Sequence, residues 1–310
     1  MIFAVRFCIV ILSFALFFST VGPTSAADNE KVIAFAQDTL ANDYRKAQVF
    51  EARDAVVQHS GLRFTYSNAN GQTSLLIRQI EKFISANVDI LIVGTNDPEA
   101  VVPVITKAHQ LGIPIIILDR GIKSTAYTTF INSDNLKIGE IGAQYIAEQM
   151  KGKGTVLLFE GLQKTDVTQL RNKGFLDAMS SHKEIKVIRR IGNYLRKDAI
   201  LEMEKLIEKG IHIDAIFSES DSMLSGVRSV LHRHGLDPKK ILMIGCDYTS
   251  EAREAIRQGT QTGSILFPLG GRQAVQTALE ILKGEKVPKH ISLPIKLVTR
   301  KNIDEISPIF

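Results

Sequence analysis

Charged residues follow several apolar runs of this sequence, at the positions where buried strands would end. Asp119 and Arg120 come directly after the apolar run Ile115–Leu118 and are the sharpest case. A carboxylate accepts hydrogen bonds from two adjacent hydroxyls, and a guanidinium donates several in a fixed geometry. The pair therefore predicts a site for a ligand made of hydroxyl groups. A salt bridge or a helix cap at a strand end explains the same two residues equally well.

Other apolar runs end in acidic residues in the same way. The residues concerned are Asp38, Glu160-Gly161, Glu219-Ser220-Asp221 and Asp247. In open parallel α/β sheets, ligands bind beyond the carboxyl ends of the strands. We therefore expect these residues, although distant in sequence, to lie at equivalent places around one cleft.

Three aromatic residues and one further arginine are weaker candidates. Tyr44, Tyr194 and Phe267 could stack on the apolar face of a sugar ring, although each also fits a core or rim position. Arg171 lies early in a predicted helix, where spacing alone describes an ordinary exposed arginine.

Motifs for catalysis and for metal binding are absent from the sequence. It contains no G-x-G-x-x-G after the first strand, no G-x-x-x-x-G-K-[ST] and no G-x-S-x-G. His232 and His234 are two residues apart in a predicted helix and point to different sides, which argues against a metal pair. Cys246 ends an apolar run and fits a buried small side chain. We expect no enzyme activity, no metal and no cofactor; a hydrolase using strand-end acids remains an alternative.

Apolar runs alternate with helical patterns throughout the chain. Strand-like runs begin near residues 32, 62, 89 and 114, and again near 155, 186, 213 and 241. Such spacing, about 25–31 residues, is typical of βαβ units. Within this pattern, Asp97 and Pro98 predict the N-cap and first residue of a helix.

Two matching sets of four strands predict two similar lobes with parallel sheets. One eight-stranded barrel is the alternative, because the same alternation permits it. The longer gap from Leu118 to Val156 favours two lobes. The extended segments 263–267 and 291–298 would suit strands that cross back between the lobes.

The first 27 residues resemble a cleavable signal peptide. Arg6 precedes the almost wholly apolar run Phe7–Phe18, and small residues precede a cut after Ala26 or Ala27. A retained anchor is the alternative, but the run is short for a membrane span. Cys8 would leave with the signal, so the mature chain would have no internal disulfide. The prediction is export to the periplasm.

The remaining composition is ordinary for a globular protein. The chain has 310 residues and a formal net charge of +5, with lysines and arginines scattered along it. No basic block and no helix-turn-helix segment precede the first lobe, which argues against nucleic-acid binding.

Landmarks along nearly the whole mature chain resemble the ribose/galactose-type (type 1) periplasmic binding proteins. In order, they are Val32–Ala36, Tyr44-Arg45, Ile113–Arg120, Ile131–Asn135 with Ile138-Gly139, Arg171–Phe175, Phe217–Met223, Ile244–Asp247 and Leu282–Val287.

The resemblance implies two doubly wound lobes joined by a three-strand hinge. We assign residues 28–133 and 266–296 to the N-terminal lobe, and 134–265 and 297–310 to the C-terminal lobe. By position, the ligand-binding residues would be Asp38, Asn42, Tyr44, Arg45, Asp119, Arg120, Arg171, Tyr194, Ser220, Asp247 and Phe267. The resemblance also implies a monomer that delivers a sugar to an ABC permease. The alternative is a sensor that presents the sugar to a membrane histidine kinase or chemoreceptor.

Three departures from the family pattern bear on the ligand. Tyr44-Arg45 replaces paired aromatics and resembles the branch that includes furanose binders. Ser220 stands where asparagine is common. The segment Leu266–Gly271 lacks the usual glutamine and resembles a branch with members in sensor systems. Arg45, Arg120 and Arg171 converge on the predicted site. The predicted ligand is a monosaccharide, which could bind in its furanose form, or a sugar alcohol. An acidic sugar is the less favoured alternative.

Overall fold

Two six-stranded sheets form the framework of the part of the chain that the structure, a computed structural model, describes: residues 30–310. The predicted signal peptide, with Cys8, lies outside the described residues. The strands are β1 (Lys31–Gln37), β2 (Leu62–Asn68), β3 (Ile90–Gly94), β4 (Ile115–Leu118), β5 (Thr129–Ser133), β6 (Lys153–Glu160), β7 (Glu184–Ile191), β8 (Ala215–Ser218), β9 (Leu242–Asp247), β10 (Gly263–Leu266), β11 (His290–Leu293) and β12 (Lys296–Thr299).

Helices connect the strands and cover both faces of each sheet. They are α1 (Asp43–Val56), α2 (Thr73–Ser85), α3 (Val102–Gln110), α4 (Asn135–Gln149), α5 (Asp166–Met179), α6 (Arg196–Glu208), α7 (Asp221–Arg233), α8 (Ser250–Gln258) and α9 (Gly271–Leu282). Helix α9, although late in the chain, packs against α1 beside the first sheet.

The strand order is that of two doubly wound lobes. The first sheet runs β11-β5-β4-β3-β1-β2 and the second β12-β10-β9-β8-β6-β7. Strand pairs are parallel, except that β12 runs antiparallel to β10. The predicted fold of two parallel-sheet lobes is thus confirmed, and the single-barrel alternative is wrong.

The strands consist of uninterrupted apolar residues because helices cover both faces of each sheet, so that side chains on either face are buried. Ile33 and Phe35 face one helical layer of the first sheet, and Ala34 and Ala36 face the other. All four side chains are fully buried. The second sheet is covered on both faces in the same way.

The chain passes between the sheets three times. It crosses from β5 to α4 at Asp134, from β10 to α9 through residues 267–270, and from β11 to β12 through Pro294 and Ile295. These crossings fit the predicted three-strand hinge. The exact lobe limits given above remain a prediction.

Helix α3 begins later than its sequence predicts. Asp97 Oδ1 accepts hydrogen bonds from the backbone N–H groups of Glu99 and Ala100, at 3.2 and 3.1 Å, and so caps a turn. The helix itself starts at Val102, with Pro103 in its first turn. Within residues 30–310, the structure has no helix of the length and hydropathy that a bilayer crossing requires.

Candidate ligand-binding site

A narrow cleft with a cavity volume of about 20 Å³ lies between the carboxyl ends of the two sheets. The lining residues are Asn42, Tyr44, Arg45, Asp119, Arg120, Val167, Arg171, Tyr194, Glu219, Ser220, Asp247 and Phe267. Every predicted site residue except Asp38 therefore lines one cavity.

Asp38 lies behind the cavity wall rather than in it. Its Oδ2 accepts a hydrogen bond from Arg120 Nη1 at 2.9 Å, and its Oδ1 lies 3.6 Å from Arg45 Nε. The Asp38 side chain is 1% exposed. The carboxylate is therefore occupied by two guanidiniums, and we correct its predicted role from ligand contact to support of Arg45 and Arg120.

Arg45 brings a buried positive charge to the first-lobe side of the cleft. Its Nη1 lies 3.3 Å from Asp119 Oδ2 and donates to Gln48 Oε1 at 3.1 Å. Burial by itself lowers the pKa of Arg45. The carboxylates of Asp38 and Asp119 raise this pKa by more than burial lowers it, so the net pKa lies above the ordinary value. The residue therefore stays cationic despite complete burial.

Arg171 brings the corresponding charge from α5 in the second lobe. Its Nε donates to Asn135 Oδ1 and its Nη1 to the Glu219 carbonyl oxygen, both at 2.8 Å. The guanidinium lies 4.6 Å from the ring centre of Phe267, within cation–π range. Phe267 in turn packs against Tyr44, with 5.0 Å between ring centres. Arg171, predicted by spacing alone to be exposed, is 3% exposed.

Tyr194 is fixed in the cleft by several independent contacts. Its backbone φ is 62°, a left-handed conformation that is rare for an aromatic residue. Its ring lies so close to Gly161 that a Cβ there would come within 1.9 Å of Tyr194 Cζ. The Arg120 guanidinium lies 5.4 Å from the centre of the other lobe's Tyr194 ring. A glycine at 161 is therefore required for this aromatic surface.

Two acids present carboxylates to the cavity. Asp119 and Asp247 both have positive φ, 66° and 106°, at the ends of β4 and β9. Burial raises the pKa of Asp247 well above its ordinary value, and the neighbouring Asp221 raises it further. The Asp119 carboxylate pairs with the Arg45 guanidinium at 3.3 Å, and the Asp221 backbone N–H lies close to the Asp247 carboxylate. Each carboxylate has two oxygens and so keeps capacity to accept hydrogen bonds from a ligand.

Asn42 and Ser220 have a structural role in addition to lining the cavity. Asn42 Oδ1 caps α1 by accepting from the Arg45 backbone N–H at 3.0 Å, and Ser220 Oγ caps α7 by accepting from Met223 N–H at 3.2 Å. The Asn42 amide donates to the Tyr194 carbonyl oxygen at 2.9 Å. Asn42 therefore joins the two sides of the cleft, and Ser220 keeps its hydroxyl proton free to donate.

Direct contacts across the cleft hold the two lobes in a closed arrangement. The backbone N–H of Gly121 donates to Asp166 Oδ2 at 2.8 Å, and Ser222 Oγ donates to Asp43 Oδ2 at 2.7 Å. A lobe opening would break both hydrogen bonds.

Two lining residues were not among the predicted ligand contacts. Glu219 directly follows β8, and the strand-end rule marked its position without assigning it a ligand. Val167 lies in the first turn of α5 and carries no polar signal that a sequence pattern could detect.

Comparisons with known proteins agree with this geometry. A family model described as a periplasmic binding protein domain matches residues 33–286. The ribose import binding protein of Bacillus subtilis (strain 168) is 28% identical over 280 residues, covering 89% of this chain and 90% of the relative.

Two solved structures extend the comparison. The fructose-binding periplasmic domain of a hybrid two-component system has a TM-score of 0.83 and 26% identity, covering 89% of this chain and 93% of that one. A periplasmic solute-binding protein of an ABC transporter from Actinobacillus succinogenes 130z, with bound D-allose, has a TM-score of 0.80 and 25% identity, covering 89% and 100%.

Proposed function

Because this chain belongs to the periplasmic binding protein family, we propose that it captures a monosaccharide or related polyol in the cleft and delivers it to an ABC importer. The observation that carries the proposal is the pair of carboxylates, Asp119 and Asp247, that line the cavity together with three guanidiniums. Sugar hydroxyls are the donors that such carboxylates accept, and each charge-assisted bond contributes about 1.5–3 kcal/mol.

The charges around the cleft support a neutral ligand. Three guanidiniums, from Arg45, Arg120 and Arg171, face or adjoin the cavity. Against them stand the carboxylates of Asp38, Asp119 and Asp247. The cationic excess that the arginines alone would give is thereby removed, so an acidic sugar is disfavoured.

We further propose that the ligand is bound without reaction, in keeping with the family's role as binding proteins. The hydroxyl oxygen of Ser220 is engaged as a helix cap, and the Cys246 thiol is buried, which raises its pKa well above the ordinary value. Neither group has a general base positioned beside it among the described residues that line the cavity.

A thermal-shift panel tests the proposal. D-ribose, D-allose, D-fructose and myo-inositol represent neutral sugars and polyols, and D-galacturonate represents acidic ones. A true ligand at 100 times its Kd adds about 2.7 kcal/mol to the free energy of unfolding. Asp119→Asn should abolish the shift, and Asp304→Asn, at an exposed ion pair with Arg257, should keep it. A shift with D-galacturonate alone would contradict the neutral-ligand proposal.

A second candidate function is ligand sensing. It is favoured by the similarity, at 26% identity, to a periplasmic domain of a hybrid two-component system. Genes for a permease and an ATPase beside this one would support import, and a kinase–regulator pair would support sensing.

Two further proposals concern the export and the oligomeric state of the protein. We propose that residues 1–27 are removed as a signal peptide and that the mature protein is a periplasmic monomer. Mass spectrometry of the mature N-terminus and light scattering after size-exclusion chromatography measure these two properties. A retained N-terminus or a dimer mass would contradict them.

A further inference from the structure

Glu219 is a fully buried carboxyl group on the second-lobe side of the cavity. It lies between β8 and α7, and its side chain reaches the ends of two neighbouring strands. Glu219 is therefore held in place before any ligand arrives.

The two oxygens of the Glu219 carboxyl have opposite environments. Oε2 accepts hydrogen bonds from the Gly161 backbone N–H at 3.0 Å and from the Tyr194 hydroxyl at 2.9 Å. Oε1 is buried and has no hydrogen-bond partner among the described residues. A neutral carboxylic acid has one oxygen that only accepts and one that carries a proton to donate. The geometry matches that form, with the proton on Oε1.

Charged and titratable groups face Glu219 from four neighbouring elements. Arg171, from α5, donates to the backbone oxygen of Glu219 and to Asn135. Arg189, from β7, pairs with the Glu160 carboxylate. On its own side, Asp221 at the start of α7 accepts from Gln261 and Ser264, and Cys246 lies on β9.

The ionised form of Glu219 would leave a buried charge on an oxygen without a donor, which is unfavourable. Burial raises the pKa of Glu219 to about 7, against the opposing effects of Arg171 and of the hydrogen bonds from Tyr194, Gly161 and Thr168. At neutral pH the group is therefore close to half protonated in the closed cleft.

We propose that Glu219 binds the ligand as a neutral acid, donating the hydrogen bond from Oε1 to a ring or hydroxyl oxygen of the sugar. This inference rests on the proposed function. It adds to the cleft a donor that is lost on deprotonation. The liganded form holds the proton, so affinity is full below the pKa of the closed form and falls as pH rises through it.

Binding measured by calorimetry from pH 6 to pH 9 tests the inference. The probe is whichever of D-ribose, D-allose and D-fructose binds the wild type most tightly at pH 6. Above the pKa, the wild-type Kd should rise by nearly tenfold per pH unit, a limit of about 1.4 kcal/mol. Glu219→Gln keeps an uncharged donor, so its Kd should stay constant over the range. Glu219→Ala should bind weakly at every pH.

Glu160→Gln is the matched control, because Glu160 is likewise a buried second-lobe acid, at 2% exposure, but does not line the cavity. It should keep the wild-type pH profile. A wild-type Kd that does not change between pH 6 and pH 9 would overturn the inference. The same decline in Glu219→Gln would also overturn it, since the decline would then belong to the acid pair Asp221 and Asp247.

A readout without ligand separates this inference from the proposed function. If no panel sugar binds at any pH, the proposed function fails. The inference is then tested by carbon-13 NMR of the ligand-free wild type, in which the Glu219 carboxyl signal is identified by its absence from the Glu219→Gln spectrum. Titration of that signal near pH 7 supports it, and a midpoint below about pH 5, close to an ordinary glutamate, refutes it.

Discussion

Asp38→Asn should lower the free energy of unfolding strongly, although it barely changes the shape of the side chain. Asp38 is shared by two buried guanidiniums, with Arg120 Nη1 at 2.9 Å and Arg45 Nε at 3.6 Å. Side-chain exposures are 1% for Asp38, 1% for Arg45 and 5% for Arg120. The amide preserves volume but removes the charge that compensates them.

The magnitude follows from what remains after the substitution. Arg45 keeps Asp119 at 3.3 Å, but Arg120 loses its carboxylate partner and keeps a 3.4 Å contact with the Thr95 carbonyl oxygen and its position over the Tyr194 ring. Removing one partner of a buried ion pair costs roughly 3–5 kcal/mol. Since the remaining contacts soften the loss, we expect about 3 kcal/mol off the free energy of unfolding.

Urea unfolding without ligand measures this loss. The midpoint of Asp38→Asn should fall while the slope of the transition stays that of the wild type, because the surface exposed on unfolding is unchanged. Glu140→Gln, at the exposed Lys137–Glu140 pair, is the control and should unfold with the wild type. If Asp38→Asn loses less than about 1 kcal/mol, its effect is that of a surface pair, and the supporting role of Asp38 is refuted.

Three further variants probe the cleft. Glu219 has a folded-state pKa of about 7, above its unfolded value, so its stabilising effect is present at acid pH and is lost as pH rises through about 7. Between pH 5 and pH 8, the free energy of unfolding in urea should therefore decline by about 2.5 kcal/mol less for Glu219→Gln than for the wild type, and equal declines would contradict this. Gly161→Ala should displace the Tyr194 ring and weaken sugar binding at least tenfold by calorimetry; unchanged affinity would show that the ring is not required. Asp166→Ala removes the acceptor of the Gly121 N–H, so the liganded protein should be more expanded by small-angle scattering, and a compact form equal to wild type would argue against this closing contact.

The sequence was most informative about the framework. Uninterrupted apolar runs such as Ile115–Leu118 predict strands buried on both faces, and their spacing predicts two parallel sheets. The strand-end rule then placed Asp119, Arg120 and Asp247 near one cleft, because the direction of parallel strands fixes which end each polar residue occupies.

Finer features depended on contacts between distant segments, which no local pattern contains. Asp38 reads as a ligand-binding acid until the positions of Arg45 and Arg120 are known. Glu219 is visible in the sequence as a strand-end residue, but the hydrogen bonds that hold its Oε2 come from Tyr194 and Gly161, 25 and 58 residues away.

Local sequence patterns also gave wrong predictions where the same residues fit two different structures. Asp97 followed by proline fits both a helix cap and a capped turn, and the hydrogen bonds to Glu99 and Ala100 select the turn. Arg171 could be read as exposed because helical spacing does not reveal which neighbours cover a face.

The three passages of the chain between the sheets also govern how the molecule can be assembled. The first sheet takes its edge strand from residues 290–293 and the second from residues 296–299, so both wait for nearly the last segment of the chain. Helix α9, which covers α1, is likewise late. A growing chain therefore completes neither sheet before residues 290–299 have been added. Removing residues 290–299 would take a strand from both lobes at once, so the two lobes should form and unfold together rather than as independent modules.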